Sequence, residues 1–220
     1  MTAHAGPDAA DNGLVLALDA ADINSYPGSG NTWIDLMGNS DGTLTSMSNE
    51  NHRSEGGGYF IFNGSNDSVE ITSGWTNFGT APFSIEVWYR PHTAATFETL
   101  VGNIDSGFQL DWSSDKLRFN SSTKVTSNIT FVANVWKQVF VVREGTGTDQ
   151  FKFYLNGDLD KTATLNVDYN ETSQLRLGSS RSGGNMYDGD ISIVRIYRGK
   201  GLTAAEVKQN FNAHRGRFGI

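Results

Sequence analysis

The sequence predicts an all-β fold, a sandwich or a barrel of antiparallel strands, and two observations support this prediction. Apolar and polar residues alternate with a period of two in segment after segment, as they do in strands with one buried face. The 25 glycines and only four prolines also suit many short strands joined by tight turns. One short helix near the C-terminus completes the predicted architecture.

The clearest alternation spans residues 83–90, where one predicted face carries four apolar side chains: Phe83, Ile85, Val87 and Tyr89. Glu86 lies alone on the polar side, and we expect a solvated or paired surface carboxylate there. Residues 135–142 and 191–196 are apolar on both faces, which is typical of central strands covered on both sides. Asn156-Gly157 lies between two strand-like segments and predicts a tight hairpin with both residues at positive φ.

The two ends of the chain differ from this strand pattern. Thr203 and Glu206 form a capping box, which predicts a helix from about residue 203 to 214 that docks on the strands. Residues 215–220 after it carry two cations and one aromatic residue, and form either a frayed end or a strap on this domain or a neighbour. We expect an arm at residues 1–12 and a single domain over residues 13–220, because nothing in between resembles a linker.

Charge and composition exclude several classes of function. A formal net charge of −7 repels phosphate backbones, so nucleic acid is not an expected partner. No stretch approaches the roughly 18 apolar residues that are needed to cross a bilayer. The lack of cysteine removes disulfides, thiolate catalysis and cysteine-ligated zinc. Residues 1–12 lack the pattern of a signal peptide, so we expect folding in the cytoplasm, or export by a route without such a signal.

Seven motifs follow one another in a characteristic order. They are Phe62-Asn-Gly-Ser-Asn-Asp-Ser-Val-Glu-Ile71, Phe83-Ser-Ile-Glu-Val-Trp-Tyr-Arg-Pro91, Trp136-Lys-Gln-Val-Phe-Val-Val142, Phe153-Tyr-Leu-Asn-Gly157, Leu177-Gly178, Tyr187-Asp-Gly-Asp-Ile-Ser-Ile-Val-Arg-Ile-Tyr197 and Leu202-Thr-Ala-Ala-Glu206. This series resembles the laminin-G-like, concanavalin A-like jelly-roll family, and it covers nearly the whole chain from Gly13 onward. The resemblance implies a jelly-roll β-sandwich of two antiparallel sheets with one short C-terminal helix.

The beginning and the end of the chain are similar to a narrower group. Gly13-Leu-Val-Leu-Ala-Leu-Asp19, the segment around Trp33 and Asp35, and the closing residues 209–219 resemble a subset common in tailed-bacteriophage structural proteins. This resemblance implies a virion protein, such as a capsid decoration, tail or fibre component, that assembles as an oligomer with other virion proteins in the host cytoplasm. A stand-alone carbohydrate-binding module that attaches to host surface glycans is the alternative.

A glycoside hydrolase is a third hypothesis, because the same superfamily includes glucanases. Such an enzyme needs two suitably spaced carboxylates, and no Glu-x-Asp-x-x-Glu pattern is present. The chain has neither a Gly-x-Ser-x-Gly nor a His-Glu-x-x-His motif. Its four histidines are scattered without the spacing of metal ligands. We therefore expect binding or assembly, and no catalysis.

Calcium is a candidate cofactor because two turns concentrate hard oxygen ligands. Asp35, Asn39 and Asp41 lie in one turn, and a second acidic loop contains Asn185, Asp188 and Asp190. Turns rich in Asn, Asp and Gly also form for backbone reasons alone. Many relatives have an acidic pair in the second region, where this chain has Ser192-Ile193, so the resemblance leaves that calcium site in doubt.

Sugar binding would need an aromatic platform with polar groups around it. Trp75 lies in a predicted loop, and Trp112, at the end of a strand beside Asp111, is a second candidate. Trp88 and Trp136 lie within strands and are predicted to be core. The alternative for Trp75 and Trp112 is that each ring caps an edge of the sandwich.

Overall fold

A computed structural model describes residues 8–72, 77–93, 97–103, 107–120, 122–170, 174–180 and 184–220. In these ranges the strands are β1 (Leu14–Asp19), β2 (Thr32–Trp33), β3 (Gly42–Thr45), β4 (His52–Arg53), β5 (Tyr59–Asn63), β6 (Ser68–Ile71), β7 (Phe83–Pro91) and β8 (Phe97–Asn103). They continue with β9 (Gln109–Ser113), β10 (Lys116–Asn120), β11 (Lys124–Thr130), β12 (Lys137–Arg143), β13 (Phe151–Leu155), β14 (Asp158–Ala163), β15 (Leu175–Leu177) and β16 (Asp188–Arg198). The helix α1 spans Ala204–His214, and 3₁₀ turns lie at Asn49–Asn51 and Arg215–Arg217.

The strands form two antiparallel sheets of eight strands each, which confirms the predicted jelly-roll sandwich. The first sheet has the order β14-β13-β12-β7-β16-β5-β4, with β1 also paired to β16. The second has the order β11-β10-β9-β8-β15-β6-β3-β2. Asn156 and Gly157 join β13 to β14 with φ of 52° and 79°, as the hairpin prediction required.

The main core lies between the two sheets. Alternate residues of β7, namely Phe83, Ile85, Val87 and Tyr89, face it, as do Leu110 and Trp112 of β9. Aromatic rings fill much of this space, and Phe78 stacks on Phe83 with ring centroids 4.2 Å apart. The inward faces of the two sheets thus bury the apolar half of each alternating pattern.

The other face of the first sheet is also covered, because the C-terminal segment folds back over it. Thr203 caps α1, and its capping box with Glu206 is complete. Phe211 of α1 and Phe218 of the tail stack on Trp88, with centroid distances of 5.8 and 4.4 Å. The tail therefore packs on its own domain, and both faces of β12 and β16 are buried, as predicted for central strands.

The described end of the N-terminal arm is held by the same layer. The Ala10 amide donates to Asn210 Oδ1 of α1 at 2.8 Å, and Tyr197 Oη donates to the Ala10 carbonyl at 2.9 Å. Within the part of the chain that the structure describes, no helix has the length and apolar character needed to cross a membrane.

Candidate functional site

Glu86 lies at the centre of a buried polar cluster beneath α1. Its carboxylate accepts hydrogen bonds from Trp88 Nε1 (2.9 Å), Gln138 Nε2 (2.7 Å), Asn210 Nδ2 (2.9 Å) and Arg195 Nη1 (3.1 Å). The prediction of a solvated or paired surface carboxylate was therefore wrong about the surface, because Glu86 is 0% exposed, while its pairing is confirmed by Arg195. The helix and the tail cover the face that strand alternation alone would leave in solvent.

Charge balance in this cluster fixes the protonation states. Burial raises the pKa of Glu86, but the charge of Arg195 and the hydrogen bonds from Gln138 and Asn210 outweigh it, so its pKa lies below the ordinary value. Burial and the Arg195 charge both lower the pKa of His214. His214 Nε2 faces Arg195 Nη2 at 3.1 Å and must accept, so its proton lies on Nδ1, 3.0 Å from the Asn210 carbonyl. The cluster is a structural latch between the sheet and the helix.

The first candidate calcium turn is organised by Asp35. Its Oδ1 accepts from the amides of Ala17 and Met37, and its Oδ2 accepts from those of Asn39 and Ser40, all within 3.1 Å. Asp41 Oδ1 accepts from the amide of Asp35. Both oxygens of Asp35 are therefore engaged by backbone donors, which is the backbone role that such turns also serve. Calcium at Asp35, Asn39 and Asp41 stays a prediction.

The second candidate calcium loop brings Asp188 and Asp190 to His92. His92 Nε2 lies 2.9 Å from Asp190 Oδ2, and Nδ1 lies 3.4 Å from Asp188 Oδ1. Arg90 Nε also pairs with Asp190 at 2.6 Å. Among the described residues no group of three or more His, Cys, Asp and Glu side chains has an arrangement that could hold a metal ion.

The predicted sugar-contacting residues are distributed differently from the expectation. Trp112 is 1% exposed and belongs to the core, so its ring offers no open face on which a sugar could stack. Asp111 is also buried and accepts from Arg118 Nε and Nη2 at 2.6 and 3.2 Å. Trp75 lies outside the described residues. The structure thus pairs Asp111 with Arg118 and does not bring Trp112 to the surface.

An exposed aromatic residue lies near Asp111 on the outer face of the second sheet. Phe97, at the start of β8, is 43% exposed, and the Arg118 guanidinium lies 5.1 Å from its ring centroid. Strand pairing places Thr99, Asp111 and Arg118 side by side on this face. We call Phe97, Thr99, Gln109, Asp111 and Arg118 the Phe97 face.

Polar side chains continue from the Phe97 face across the same sheet. Gln109 pairs with Gly102, which pairs with Arg176, and Arg176 in turn pairs with Glu70. Arg176 Nη2 lies 2.5 Å from Glu70 Oε1, and Gln174 Nε2 donates to Glu70 Oε2 at 2.7 Å. Gly102, in the middle of this row, is buried, and the side chains of Thr99 and Gln109 pack over it.

A pocket of about 640 Å³ opens at the other side of the molecule. We call it the front–tail pocket, because residues near both ends of the chain line it, among them Asp8, Asp22, Ile23, Leu36, Arg195 and Arg217. Arg217 closes one wall by pairing with both oxygens of Asp19 at 2.7 and 2.8 Å. Burial raises the pKa of Asp19, but the hydrogen bond and the charge of Arg217 reverse that effect, so the net pKa is lowered.

Comparison with known proteins identifies relatives of the fold. A laminin-G-like family model, described as the concanavalin A-like lectin/glucanases superfamily, matches residues 63–208. No curated protein matches this chain in sequence.

Several solved structures share the fold. The binding domain of Paraclostridial Mosquitocidal Protein 1 is 18% identical with a TM-score of 0.68, and 91% of this chain matches 52% of that one. The receptor binding domain of botulinum neurotoxin type G is 18% identical with a TM-score of 0.66, and 91% of this chain matches 51% of that one. This chain therefore spans about half the length of these two toxin domains.

A third structure has the same size as this chain. Domain 4 of AbnA, a GH43 extracellular arabinanase from Geobacillus stearothermophilus in complex with arabinotriose, is 18% identical with a TM-score of 0.69. The match covers 92% of this chain and 100% of that domain. At these identities, the three structures establish a common fold and nothing more.

Proposed function

The chain belongs to the laminin-G-like family of the concanavalin A-like lectin/glucanases superfamily, and on that premise we propose that it is a non-catalytic carbohydrate-binding domain whose sugar site is the Phe97 face. The observation that carries this proposal is the exposed ring of Phe97 beside an arginine, Arg118, that is ion-paired with Asp111. The AbnA domain, whose structure is in complex with arabinotriose, has the same fold and supports carbohydrate binding as the function.

The chemistry of the Phe97 face suits a sugar ring. The apolar face of a pyranose or furanose can stack on the ring of Phe97, and its hydroxyls can bond to charged groups at the edge of the ring. The two-point pair with Asp111 fixes the plane of the Arg118 guanidinium against Phe97. Asp111 is buried, so we assign it the role of positioning Arg118 and not of contacting sugar.

The state of the buried carboxylates supports a binding function. A glycosidase needs two carboxyl groups that face the sugar from about 5–9.5 Å apart. Glu86 is enclosed by four donors beneath α1, and Asp111 and Asp190 are paired with arginines. Each of these carboxylates has a structural partner, which leaves none of the three available as a catalytic acid or nucleophile.

A glycan array followed by calorimetry tests the proposal, with arabinotriose as the first soluble probe. We expect Phe97→Ala to weaken binding of the best ligand about tenfold or more, because stacking and its area are lost. Val132→Ala removes another exposed apolar side chain and should leave affinity unchanged. Equal binding by Phe97→Ala and Val132→Ala would show that the Phe97 face is not the sugar site. Release of reducing sugar by the wild type would contradict the non-catalytic role.

We further propose that this domain is part of a virion, as a capsid decoration, tail or fibre component that assembles as an oligomer in the host cytoplasm. The resemblance to phage structural proteins rests on residues 13–19, 25–33 and 35–36 near the beginning of the chain and on residues 209–219 near its end. All of them lie outside the family match at residues 63–208. The segments at the two ends pack against each other, since Arg217 of one segment pairs with Asp19 of the other. This contact between the two segments supports a role in assembly.

Mass spectrometry of purified particles from the encoding strain tests this setting. We expect the chain to copurify with tailed particles through a density gradient and to sediment as a defined oligomer when isolated. A chain that is monomeric in isolation and absent from every particle fraction would contradict the virion role while leaving glycan binding untouched.

A further inference from the structure

Most of the front–tail pocket lies outside the region that the family model matches. Of the described residues that line it, Arg195 alone falls within the region matched by the family model, residues 63–208. The others come from residues 8–57 or 213–217. Its volume of about 640 Å³ lies in the range of about 300–1,000 Å³ that ligand sites occupy. The pocket is therefore not part of the sequence pattern that the family model describes.

The two arginines of the pocket already form ion pairs with carboxylates of the same chain. Arg195 pairs with Glu86 and donates to His214, and Arg217 pairs with Asp19 and donates to the Gly57 carbonyl. Because Arg195 donates to it and burial lowers its pKa, His214 is neutral. These groups therefore contribute little net positive charge to a ligand in the pocket.

Two carboxylates at the rim lack such compensation. Asp8 and Asp22 line the pocket, and neither forms an ion pair with any residue in the described ranges. Among the described residues, the Asp22 carboxylate accepts hydrogen bonds only from the amide and the side chain of Asn24. The uncompensated charge that faces the pocket is negative, so the pocket is complementary to a cation.

Apolar side chains continue from the pocket onto the adjoining surface. Ile23 is 72% exposed and Leu36 is 42% exposed, and both line the pocket. Ile34 and Met37, in the same segment between β1 and β3, are also exposed. Large aliphatic side chains clustered in this way at a pocket are typical of protein interaction sites.

This surface is held rigidly before any partner arrives. Asp35 binds the backbone amide of Met37, and Ser25 Oγ donates to the Ile34 carbonyl at 2.7 Å. The Leu36 amide donates to the Ala17 carbonyl of β1 at 2.9 Å. Because the backbone is fixed in advance, the exposed side chains lose little further entropy on binding.

We propose that the front–tail pocket docks a segment of a partner protein that carries a lysine or arginine next to aliphatic side chains. The cation would lie between Asp8 and Asp22, and the aliphatic groups would cover Ile23 and Leu36. None of the described lining residues is Phe, Tyr or Trp, which distinguishes this surface from the Phe97 face. The proposal does not depend on sugar binding or on a virion location.

An array of random heptapeptides, probed with the full chain, tests this proposal. We expect the strongest signals from peptides that place lysine or arginine within two positions of leucine, isoleucine, valine or methionine. The best peptide, resynthesised, should bind the double variant Ile23→Ser/Leu36→Ser at least about tenfold more weakly, because aliphatic burial is lost. Asp22→Asn should also weaken it, and added NaCl should weaken wild-type binding.

A matched double variant, Val132→Ser/Asp115→Asn, changes an exposed apolar and an exposed acidic residue elsewhere and should bind like the wild type. Phe97→Ala should also leave peptide affinity unchanged. Preference for acidic peptides, equal binding by Ile23→Ser/Leu36→Ser, or no signal above background would overturn the proposal. A dimer in sedimentation that Ile23→Ser/Leu36→Ser abolishes would assign the surface to a second copy of the chain and likewise overturn it.

Discussion

At the scale of single residues, Asp35 holds an entire turn through its side chain. Four backbone N–H groups donate to its two oxygens, and two of these hydrogen bonds are fully buried. Asp35→Ala leaves those donors without an acceptor, and we expect a loss of about 2–3 kcal/mol in the free energy of unfolding, measured in urea.

Asn39→Ala is the matched control for this change. Asn39 is exposed and its side chain donates only to the Met37 carbonyl, so we expect a change within about 0.5 kcal/mol. Equal losses for both variants would contradict the structural role of Asp35. If added CaCl₂ raises the Tm of the wild type but not of Asp35→Ala, the turn binds calcium as well.

The lowered pKa of His214 predicts how the stability of the fold depends on pH. Burial and the charge of Arg195 lower its pKa in the folded state, while a histidine of the unfolded chain titrates near about pH 6.5. Just below that pH the histidine takes up a proton in the unfolded chain but not in the folded one. Its contribution to the free energy of unfolding is therefore fully present above about pH 6.5 and is lost as the pH decreases. His214→Gln should therefore show a flatter stability curve than the wild type between about pH 6.5 and 5, measured by urea unfolding.

The carboxylates near His214 titrate in a lower pH range and serve as an internal control for the comparison of the wild type with His214→Gln. Glu86 and Asp19 also have lowered pKa values, and their stabilising contributions are lost only below about pH 4.3 and 3.9. Both proteins should lose stability in that lower range. Identical stability curves for the wild type and His214→Gln above pH 5 would contradict a lowered pKa of His214 in the folded state.

Some of these residue roles were present in the sequence pattern, and others were not. Trp112 alternates with Asp111 in phase with Leu110, which already assigns the tryptophan to the core. Glu86 lies on a strand between two strands that were predicted to be covered on both faces, so its burial could have been inferred. Phe97 gave no such signal, because a bulge between Thr99 and Val101 shifts the alternation along β8.

At the scale of elements, the tail after α1 acts as part of the core. Phe218 stacks on Trp88 and lies 4.7 Å from the ring of Trp136. Phe218→Ala removes this packing, and we expect a loss of about 3 kcal/mol in the free energy of unfolding. Tryptophan emission should shift to the red as the two indoles gain water, while Ile220→Ala, at an exposed position, should change neither quantity. An unaltered unfolding midpoint for Phe218→Ala would show that the tail is not part of the folded core.

Sequence motifs predicted correctly those structural elements that depend only on neighbouring residues. The capping box at Thr203 and the turn at Asn156-Gly157 are set by backbone chemistry within four residues, and both are confirmed. The tail had two interpretations, because an aromatic residue after a helix does not identify the surface that it contacts. Only the packing of Phe218 on the sheet shows that this surface belongs to the same chain.

At the scale of the whole molecule, contacts between residues far apart in the sequence create features that the sequence pattern does not predict. Asp19 and Arg217 are 198 positions apart, and no periodicity connects them. The front–tail pocket exists because β1 pairs with β16 and α1 returns over the same sheet. The resemblance to a family predicted the sandwich, but the pocket lies almost entirely outside residues 63–208, which the family model matches.

The same long-range packing predicts that the chain unfolds as a single unit. The main core cluster contains residues from both sheets, from Leu16 of β1 to Ile196 of β16. The latch at Glu86 and the stack on Trp88 then join α1, the arm and the tail to that core. We therefore expect one transition in calorimetry, with a calorimetric enthalpy equal to the van't Hoff enthalpy. Far-UV circular dichroism and tryptophan emission should give the same midpoint in urea, whereas separate midpoints would mean that the covering layer of helix, arm and tail unfolds independently of the sandwich.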